Sequence, residues 1–510
     1  MIQAQTNSVD GIVRRTAART PDVEALRFGE RSWSYRELDA AVTAAAQWLL
    51  QQDLPPGAHI AAYGKNSDAY LLAFLACSRA GLVHVPINYA LSGEELRYLL
   101  IQSESRAVLV DPELEPNLEA IRADTGDIVS LRLHGEASLL AASRHADNSG
   151  GDTPVLGTAG NSALLQLLYT SGTTSRPKGA MLSHAALIAE YVSCIQALDF
   201  SAQDKPLICM PLYHSAAMHV FLLPYLMVGA SVVLLPGPDI DQILDRIEQD
   251  RIGSLFLAPT VWVPLANHPE LDQRDLSSLT KAQYGASIMP VTVLNRLRER
   301  YPELGFYNCF GQSEIAPLAT VLRPEEHEAR PSSCGRPVLF VEARVVDAEG
   351  NDVAPDEQGE VIYRSPQLCQ GYWKKPEETA AAFRDGWFHS GDLATRDAEG
   401  YITVVDRIKD VINTGGILVA SREVEDVLYQ HEAVAEVAVV GAPDDIWIEA
   451  ITAFVVCRPG FEPTAEELIA HTRAHLAAFK LPKQIFFIDE LPRNQSGKLL
   501  KRELRTRLQS

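Results

Sequence analysis

Apolar stretches alternate with amphipathic stretches from residue 57 to residue 110, and this alternation predicts strands and helices in turn. Over this region the chain reads "HIAAYG", "DAYLLAFLACSRAGL", "VHVPI", "GEELRYLLIQS" and "AVLVD". Strand–helix–strand repeats of this kind are typical of α/β layers with largely parallel sheets. The pattern recurs at 207–236 and at 253–305. The sequence therefore predicts an α/β fold of layered sheets over most of the chain.

Short β-rich segments replace this alternation after about residue 335. Gly, Pro and Asp separate them, as in "FVEARVVDAEGNDV" and "GEVIYRSP", which predicts a small barrel-like β subdomain. From residue 407 onward strands and amphipathic helices mix, which predicts a small α+β domain. Because Asp406 and Arg407 lie in a polar turn between two β segments, we place the boundary there. The expected division is an N-terminal domain over 1–405 and a small mobile C-terminal domain over 406–510.

Two further features are readable from short stretches. Ser34 precedes "YREL" and Glu37 follows three positions on, which is the arrangement of a helix capping box. The longest apolar run covers 218–236 and contains Pro224 and Gly229. These two residues favour a buried helix followed by a strand over a membrane span.

Length and charge narrow the class of protein. At 510 residues the chain is too long for one compact core, so two or three domains are expected. The formal net charge of −21 argues against nucleic acid or an anionic membrane as a partner, because binding phosphate backbones requires a basic face. Any anionic ligand must therefore be held by a few local cations and backbone amides.

The cysteines and the N-terminus favour a cytoplasmic protein. Seven Cys are scattered singly and no CxxC pair occurs, which indicates reduced thiols rather than a disulfide framework or a zinc site. Residues 1–20 lack an apolar core, so no secretory signal is predicted.

Residues 169–179, "YTSGTTSRPKG", combine small donors with cations directly after an apolar run. A loop of small residues lets backbone N–H groups face an anion, and the Thr and Ser hydroxyls add donors at close range. Lys178 supplies a point charge, and Pro177 stiffens the turn before it. The Walker pattern GxxxxGK[ST] is absent. From these residues alone the stretch is either a phosphate-binding loop or a polar surface turn.

Five stretches together resemble the adenylate-forming superfamily, which includes acyl-CoA synthetases, luciferases and the adenylation domains of peptide synthetases. The first, "YTSGTTSRPKGAMLSH", is similar to the phosphate loop of that superfamily. The others follow in the expected order: "NCFGQSE" (308–314), "WFHSGDLATRDAEGYITVVDRIKD" (387–410), "NTGGILVASREVED" (413–426) and "LPRNQSGKLLKREL" (491–504). The resemblance runs from about residue 10 to residue 505.

The resemblance to acyl-CoA synthetases implies a reaction and its cofactors. A carboxylic acid would react with ATP to give an acyl-adenylate and pyrophosphate, and CoA would then take the acyl group and release AMP. The implied cofactors are ATP, Mg²⁺ and CoA. The implied fold is a large N-terminal adenylation domain with a C-terminal lid domain, which rotates about Asp406 between the two half-reactions.

The matched motifs also imply the roles of single residues. Glu314 and Thr170 would place Mg²⁺ on the triphosphate. Phe310 would stack on adenine, unless it is plain core packing, and Asp392 with Arg407 would hold the ribose hydroxyls. The whole nucleotide site is implied at Thr170, Ser171, Gly172, Thr173, Thr174, Gly285, Ala286, Ser287, Asn308, Cys309, Phe310, Gly311, Gln312, Ser313, Asp392 and Arg407.

Two lysines far apart in the chain would serve adenylation. Lys178 would bind the triphosphate, and Lys498, in the C-terminal domain, would reach the carboxylate and the α-phosphate oxygens. After rotation of that domain, CoA would be bound at Gly415, Gly416 and Lys409, where the glycines let the pantetheine arm pass close to the backbone.

The acyl pocket is expected among the side chains of Tyr213, Ala216, Met218, Trp262 and Ile315. This lining suits a medium or long fatty chain, or a bulky cyclic or aromatic acid, and composition does not choose between them. His214 would either gate this pocket or lie in the core with its hydrogen bonds satisfied. The segment "YHSAAMHV" offers no Asp for an α-amine, which argues against amino acids as substrates.

Several positions depart from the family pattern. Ser175 stands where the phosphate loop usually has Gly, Ile417-Leu418 and Ala420-Ser421 replace the commoner Glu-Asn and Tyr-Pro, and Ile448 replaces Gly. None of these changes removes a charged catalytic group, so we expect both half-reactions. The alternatives are a specialist in one half-reaction, an enzyme that acylates a carrier-protein thiol, a luciferase-like oxidase and a silent nucleotide binder. The expected oligomer is a homodimer.

Overall fold

A computed structural model describes residues 8–144, 162–170, 176–287, 289–444, 446–493 and 499–508. Contacts among them define two units. The first holds the described residues of Met1–Ser171, Pro177–Ala343 and Tyr363–Phe388, and the second those of Gly172–Arg176, Arg344–Ile362 and His389–Ser510.

The helices and strands follow the chain in the order that the sequence pattern predicts. The α-helices are α1 (Gly11–Arg19), α2 (Tyr35–Leu50), α3 (Asp68–Ala80), α4 (Gly93–Gln102), α5 (Glu115–Glu119), α6 (Arg122–Thr125), α7 (Leu139–Arg144), α8 (His184–Ala197), α9 (Leu223–Val228), α10 (Ile240–Asp250), α11 (Pro259–Ala266), α12 (Val291–Arg300), α13 (Pro376–Ala382), α14 (Ser421–Leu428), α15 (Ala465–His475) and α16 (Lys501–Arg507). The strands are β1 (Glu24–Phe28), β2 (Arg31–Ser34), β3 (His59–Tyr63), β4 (Val83–Ile87), β5 (Ser105–Val110), β6 (Val129–Arg132), β7 (Leu164–Thr170), β8 (Lys178–Ser183), β9 (Pro206–Ile208), β10 (Val232–Leu234), β11 (Ser254–Leu257), β12 (Lys281–Gly285), β13 (Gly305–Gly311), β14 (Leu318–Leu322), β15 (Arg336–Pro337), β16 (Glu342–Val346), β17 (Gly359–Arg364), β18 (Phe383–Arg384), β19 (Trp387–Arg396), β20 (Ile402–Arg407), β21 (Ile412–Thr414), β22 (Ile417–Val419), β23 (Val434–Asp444), β24 (Ile448–Cys457) and β25 (Gln484–Phe487).

Two large sheets form the framework of the first unit. The nine-stranded sheet has the order β15-β14-β13-β12-β11-β9-β10-β1-β2, and the six-stranded sheet has the order β6-β5-β3-β4-β7-β8. Parallel pairing dominates both, and antiparallel pairs lie towards the edges, as between β7 and β8 or β13 and β14. This arrangement confirms the predicted α/β layers.

The β-rich and α+β regions also have the predicted character. A five-stranded sheet has the order β16-β17-β19-β18, with β20 beside β19. A further sheet has the order β22-β21-β24-β23, with β25 beside β24, and a core of Val, Ile and Leu side chains packs it together with α14 and α15. The fold is therefore the predicted one, with mixed α/β sheets, a larger N-terminal part and a smaller C-terminal part.

The two short-range predictions are confirmed. Ser34 caps α2: its side chain accepts a hydrogen bond from the backbone of Glu37, and the Glu37 carboxylate accepts one from the backbone of Ser34. The apolar run after residue 215 forms a π-helix, Ala216–Leu222, then α9 and then β10. In the described part of the chain, no helix is both long and apolar enough to cross a membrane.

Ile448 begins β24 in an unfavourable backbone conformation. Its φ is +69°, in the left-handed region that a β-branched residue rarely adopts, and its side chain is exposed. We expect Ile448→Gly to stabilise the chain by about 1 kcal/mol, because glycine adopts this φ without steric cost. Thermal unfolding of the full chain measures the change. The matched control is Ile446→Gly, also at an exposed isoleucine but not at positive φ, which we expect to destabilise. Equal changes in unfolding temperature for the two variants would show that the backbone at Ile448 is not strained.

Candidate functional site

The two ends of the predicted phosphate loop lie side by side. Thr170 ends β7 and Lys178 begins β8, and the two residues are paired in the antiparallel ladder. The Thr170 hydroxyl donates to the backbone oxygen of Lys178 at 3.5 Å. A hydroxyl and a cation are thereby held at the base of the loop. Its other predicted contacts, Ser171, Gly172, Thr173 and Thr174, fall outside the described residues, as does Ser175.

Tyr372 joins Lys178 to Glu314. The Lys178 ammonium lies 5.1 Å from the centre of the Tyr372 ring, and the Tyr372 hydroxyl donates to Glu314 Oε1 at 2.9 Å. The backbone N–H of Cys369 also donates to the backbone oxygen of Glu314 at 2.8 Å. Glu314 and Tyr372 are both buried. Tyr372 thus contacts two predicted catalytic residues, Lys178 and Glu314. Tyr372 was not among the residues predicted from the sequence, where it lies in the short stretch "GYW".

Tyr372→Phe is expected to slow acyl-adenylate formation by about tenfold to a hundredfold. The change removes one hydrogen bond to a carboxylate and keeps the ring beside Lys178, and such bonds contribute about 1.5–3 kcal/mol. Pyrophosphate release at several Mg²⁺ concentrations measures the effect. Tyr301→Phe is the control, because Tyr301 donates to the backbone of Leu271, away from Glu314. Unchanged activity in Tyr372→Phe would show that the hydroxyl does not position Glu314.

The predicted adenine segments lie on neighbouring strands. Gly285 at the end of β12 is paired with Cys309 on the parallel strand β13. A Cβ on Gly285 would collide with the backbone oxygen of Cys309, so only glycine fits there. Ala286 and Ser287 are exposed just beyond, and Phe310 is half-buried rather than enclosed in the core. The two segments therefore present accessible groups close to each other, and their nucleotide contacts stay predictions.

The segment that carries Glu314 continues from β13. Gly311, Gln312 and Ser313 are each partly exposed, and a 3₁₀ turn, Ser313–Ile315, follows. Asn308 donates its side-chain amide to the backbone oxygen of Ser333 at 3.0 Å. This bond holds the side chain of Asn308, itself a predicted nucleotide contact, at the start of this segment.

In the second unit Asp392 and Arg407 form an ion pair. They are opposite each other on β19 and β20, and Arg407 Nε lies 2.7 Å from Asp392 Oδ1. Asp392 is buried, whereas the Arg407 side chain is 38% exposed and can still meet a ligand. The predicted ribose-binding pair is therefore brought together.

Asp406, the predicted hinge residue, is buried at the end of β20. Its Oδ2 accepts from the hydroxyl of Ser421 at 2.7 Å, and its Oδ1 accepts from the backbone N–H of Arg407 at 2.7 Å. The predicted CoA contact Lys409 is exposed in the next turn. Gly415 and Gly416 form the two-residue turn between β21 and β22, with φ of +63° and +86°, which a primed hairpin turn requires.

The predicted acyl residues differ in exposure. Tyr213, Met218 and Ile315 are buried, Ala216 is half-buried, and His214 is exposed with its ring centre 4.4 Å from that of Tyr213. The exposure of His214 does not fit a histidine packed in the core. Trp262 packs inside the core beside the nine-stranded sheet, where Nε1 donates to the backbone oxygen of Gln283 at 3.0 Å. A role for Trp262 in the pocket stays a prediction.

A buried polar chain lies behind the π-helix Ala216–Leu222. Gln166 donates through Nε2 to His84 Nδ1 at 3.2 Å, and its Oε1 accepts from His219 Nε2 at 2.9 Å. His219 Nδ1 must then accept from the hydroxyl of Tyr191, at 2.8 Å. Burial lowers the pKa of both histidines to about 3. His219 is therefore a neutral anchor of the π-helix and not a proton carrier at neutral pH.

The donors near the phosphate loop fit Mg²⁺. The Glu314 carboxylate and the Thr170 hydroxyl are hard oxygen ligands. Within the described ranges, no group of three or more His, Cys, Asp or Glu side chains could hold a metal ion by itself. Mg²⁺ is commonly bound through one or two carboxylates together with substrate phosphates, so this donor set suits an ion that arrives with a triphosphate.

Comparison with known proteins identifies the family. The AMP-binding enzyme model matches residues 13–373, and the AMP-binding enzyme C-terminal domain model matches residues 423–498. Feruloyl-CoA synthase from Amycolatopsis sp is 37% identical over 493 residues, covering 97% of each chain. Indoleacetate–CoA ligase from Aromatoleum aromaticum is 33% identical over 494 residues, covering 97% of this chain and 96% of the relative. The crystal structure of ATP-bound MatB from Rhodopseudomonas palustris has a TM-score of 0.90 at 30% identity, covering 99% of both chains. The chain therefore belongs to the AMP-binding enzyme family, in the acyl-CoA synthetase branch of the adenylate-forming superfamily.

Proposed function

We propose that this chain activates a carboxylic acid with ATP and transfers the acyl group to CoA, releasing pyrophosphate and AMP. The observation that carries the proposal is the meeting of Lys178, Tyr372 and Glu314. It offers a cation at the phosphate loop and a buried carboxylate able to hold a metal. Both are needed, because an attacking carboxylate and a phosphate are anions that repel each other at short range.

In the first half-reaction, an oxygen of the acid attacks the α-phosphorus of ATP. The bond to the bridging oxygen breaks, and pyrophosphate leaves with the electron pair. Lys178 holds phosphate oxygens as a point charge, and Lys498 neutralises the developing charge on the α-phosphate and the carboxylate. Mg²⁺, held by Glu314 and Thr170 when bound, supplies further positive charge on the triphosphate.

The adenine and the ribose of the nucleotide are proposed to be bound by different residues. Phe310 stacks on adenine beside Gly285, and Asp392 with Arg407 binds the ribose hydroxyls. The half-buried Phe310 ring and the exposed part of the Arg407 side chain support these roles. A carboxylate can accept from two vicinal hydroxyls at once, which suits Asp392 to the ribose.

In the second half-reaction, the CoA sulfur bonds to the acyl carbonyl carbon, the bond from that carbon to the phosphate oxygen breaks, and AMP leaves with the electron pair while the thiol proton passes to solvent. Thiols are good nucleophiles near neutral pH, so no strong base is needed. We propose that residues 406–510 rotate about Asp406 to exchange Lys498 for the turn at Gly415 and Gly416. The positive φ at both glycines supports a backbone that a pantetheine arm passes closely.

The acid is proposed to be aromatic or arylalkyl, with a fatty acid as the second candidate. The names of the two relatives refer to feruloyl and indoleacetyl groups, and the chain covers nearly the whole of both relatives. The buried side chains of Tyr213, Met218 and Ile315 support an apolar acyl site. Apolar pockets discriminate by only about 1–3 kcal/mol per methylene, so related acids are expected to react at graded rates.

A pyrophosphate-release screen over a panel of carboxylic acids, run with and without CoA, tests the function. We expect aryl acids to give rapid pyrophosphate release and an acyl-CoA product only when CoA is present. If the chain forms acyl-AMP but transfers the acyl group to a carrier-protein thiol and not to CoA, a carrier protein is the acceptor. No release of pyrophosphate with any acid would overturn the proposal.

We also propose that the protein acts as a homodimer in the cytoplasm. The sequence feature that supports this location is the set of scattered single cysteines, which indicates reduced thiols. Analytical ultracentrifugation tests the dimer, and cell fractionation tests the location.

A further inference from the structure

A carboxyl group that takes no part in the proposed chemistry lies deep in the first unit. Glu190, in α8, is fully buried. Its hydrogen-bond partners in the described residues are all neutral donors: the backbone N–H of Leu318 at 2.9 Å, the Cys194 thiol at 3.3 Å and the side-chain amide of Gln367. Burial raises the pKa of this carboxyl to about 8, and none of these partners can accept a carboxyl proton. Burying a carboxyl group costs free energy, so we expect Glu190 to have a role that offsets this cost.

Gln367 completes the network from another part of the chain. It is also fully buried, and besides Glu190 its Nε2 donates to the backbone oxygen of Leu318 at 3.0 Å. Its Oε1 accepts from the hydroxyl of Ser193 at 2.6 Å. Glu190 and Gln367 therefore bind both polar backbone groups of Leu318, and Ser193 holds the Gln367 amide in place. We refer to these three side chains as the clamp.

The two segments held by the clamp are the two that hold Glu314. Leu318 lies four residues after Glu314 in the chain. Gln367 lies shortly before Cys369 and Tyr372, whose backbone N–H and hydroxyl respectively donate to Glu314. The clamp thus fixes the distance between the segment that carries the carboxylate and the segment that orients it. Since its side chains contact neither Glu314 nor Lys178, any influence on the reaction must pass through these backbones.

We propose that Glu190 and Gln367 are positioning residues for acyl-adenylate formation, which hold Glu314 in the orientation needed for its metal and phosphate contacts. This inference rests on the proposed function and names residues that set its efficiency. Removing Glu190 leaves the buried N–H of Leu318 without its acceptor, and removing Gln367 leaves the backbone oxygen of Leu318 without the amide donor, so the segments are expected to shift.

The test compares Glu190→Met, Gln367→Met and the double variant with the wild type. We expect each single variant to lower the rate of pyrophosphate release about tenfold and to raise several-fold the Mg²⁺ concentration for half-maximal activity. We expect the double variant to release pyrophosphate only slightly more slowly than the less active single variant, because the effects of two substitutions in one hydrogen-bond network are not additive. Tyr35→Phe is the control for loss of a buried hydrogen bond elsewhere, since its hydroxyl donates to Ala230 in the same unit.

Thermal unfolding separates positioning from stability. If the clamp variants unfold at lower temperature, as Tyr35→Phe does, but keep the wild-type rate and Mg²⁺ dependence, the proposal is overturned. Should Glu190→Met or Gln367→Met fail to fold, Ser193→Ala, which removes only one donor to Gln367, is expected to shift the Mg²⁺ dependence in the same direction but less.

If the wild type releases no pyrophosphate with any acid, the proposed function is wrong, but the role of the clamp can still be tested. The shift in unfolding temperature caused by Mg²⁺ and ATP would then be the readout. A smaller shift in Glu190→Met and Gln367→Met than in the wild type and Tyr35→Phe would support positioning of Glu314, and equal shifts would refute it.

Discussion

Lys498→Ala is expected to slow acyl-adenylate formation roughly a hundredfold or more, while thioester formation from preformed acyl-adenylate continues at nearly the normal rate. Removing one preorganised donor from developing negative charge costs about 3 kcal/mol of transition-state stabilisation. Lys498 is proposed to act only when charge develops on the carboxylate and the α-phosphate. The residue lies outside the described ranges, so its role rests on the "SGKLLK" motif.

Measuring the two half-reactions separately checks this expectation. Pyrophosphate release reports the first, and release of AMP from supplied acyl-adenylate in the presence of CoA reports the second. Arg502→Ala is the matched control, because it removes one positive charge from the exposed face of α16, four positions along the chain. Equal loss in both half-reactions, or a similar loss in Arg502→Ala, would argue against a role for Lys498 confined to adenylation.

Asp406→Pro is expected to impair thioester formation by at least tenfold more than acyl-adenylate formation. Proline fixes φ near −65° and removes the backbone N–H, so a residue that must change its dihedral angles during rotation loses that freedom. If residues 406–510 rotate as proposed, adenylation needs only one domain arrangement, whereas the complete reaction needs both. The same two assays measure the difference.

Asp406→Ala separates the dihedral angles from the side chain. It removes the acceptor for the Ser421 hydroxyl but leaves the backbone free to rotate. We expect Asp406→Ala to lower stability and to keep the balance between the half-reactions. If Asp406→Pro and Asp406→Ala change the two half-reactions alike, Asp406 is not the hinge.

The sequence was most informative where a feature depends on neighbours in the chain. The capping box of Ser34 and Glu37 needs only a spacing of three residues. The glycine pair at 415 and 416, predicted as a CoA contact, lies in a turn with positive φ at both positions, which few other residues tolerate. Alternating apolar patterns predicted the sheets for the same reason, since periodicity decides which face of a strand or helix is buried.

Contacts between residues far apart in the chain could not be predicted from these local patterns. Glu190 and Gln367 are 177 positions apart, and nothing near either residue indicates that they meet. Tyr372 carries a short motif, but its hydrogen bond to Glu314 depends on how two distant segments pack. Trp262 was predicted to line the acyl pocket because it is aromatic and lies in a pocket segment. Its residue type does not indicate on which side of α11 its ring lies.

The hydrogen-bond chain behind the π-helix has an evolutionary consequence. Gln166 can only donate through nitrogen and accept through oxygen, so the location of each proton from Tyr191 to His84 is set by its neighbour. A change at one position, such as Gln166→Glu, removes the amide donor to His84 and places a carboxyl group in the buried chain, where it must be protonated or paired. Homologues that alter one of these residues are therefore expected to alter a second, so that the four positions drift as a group.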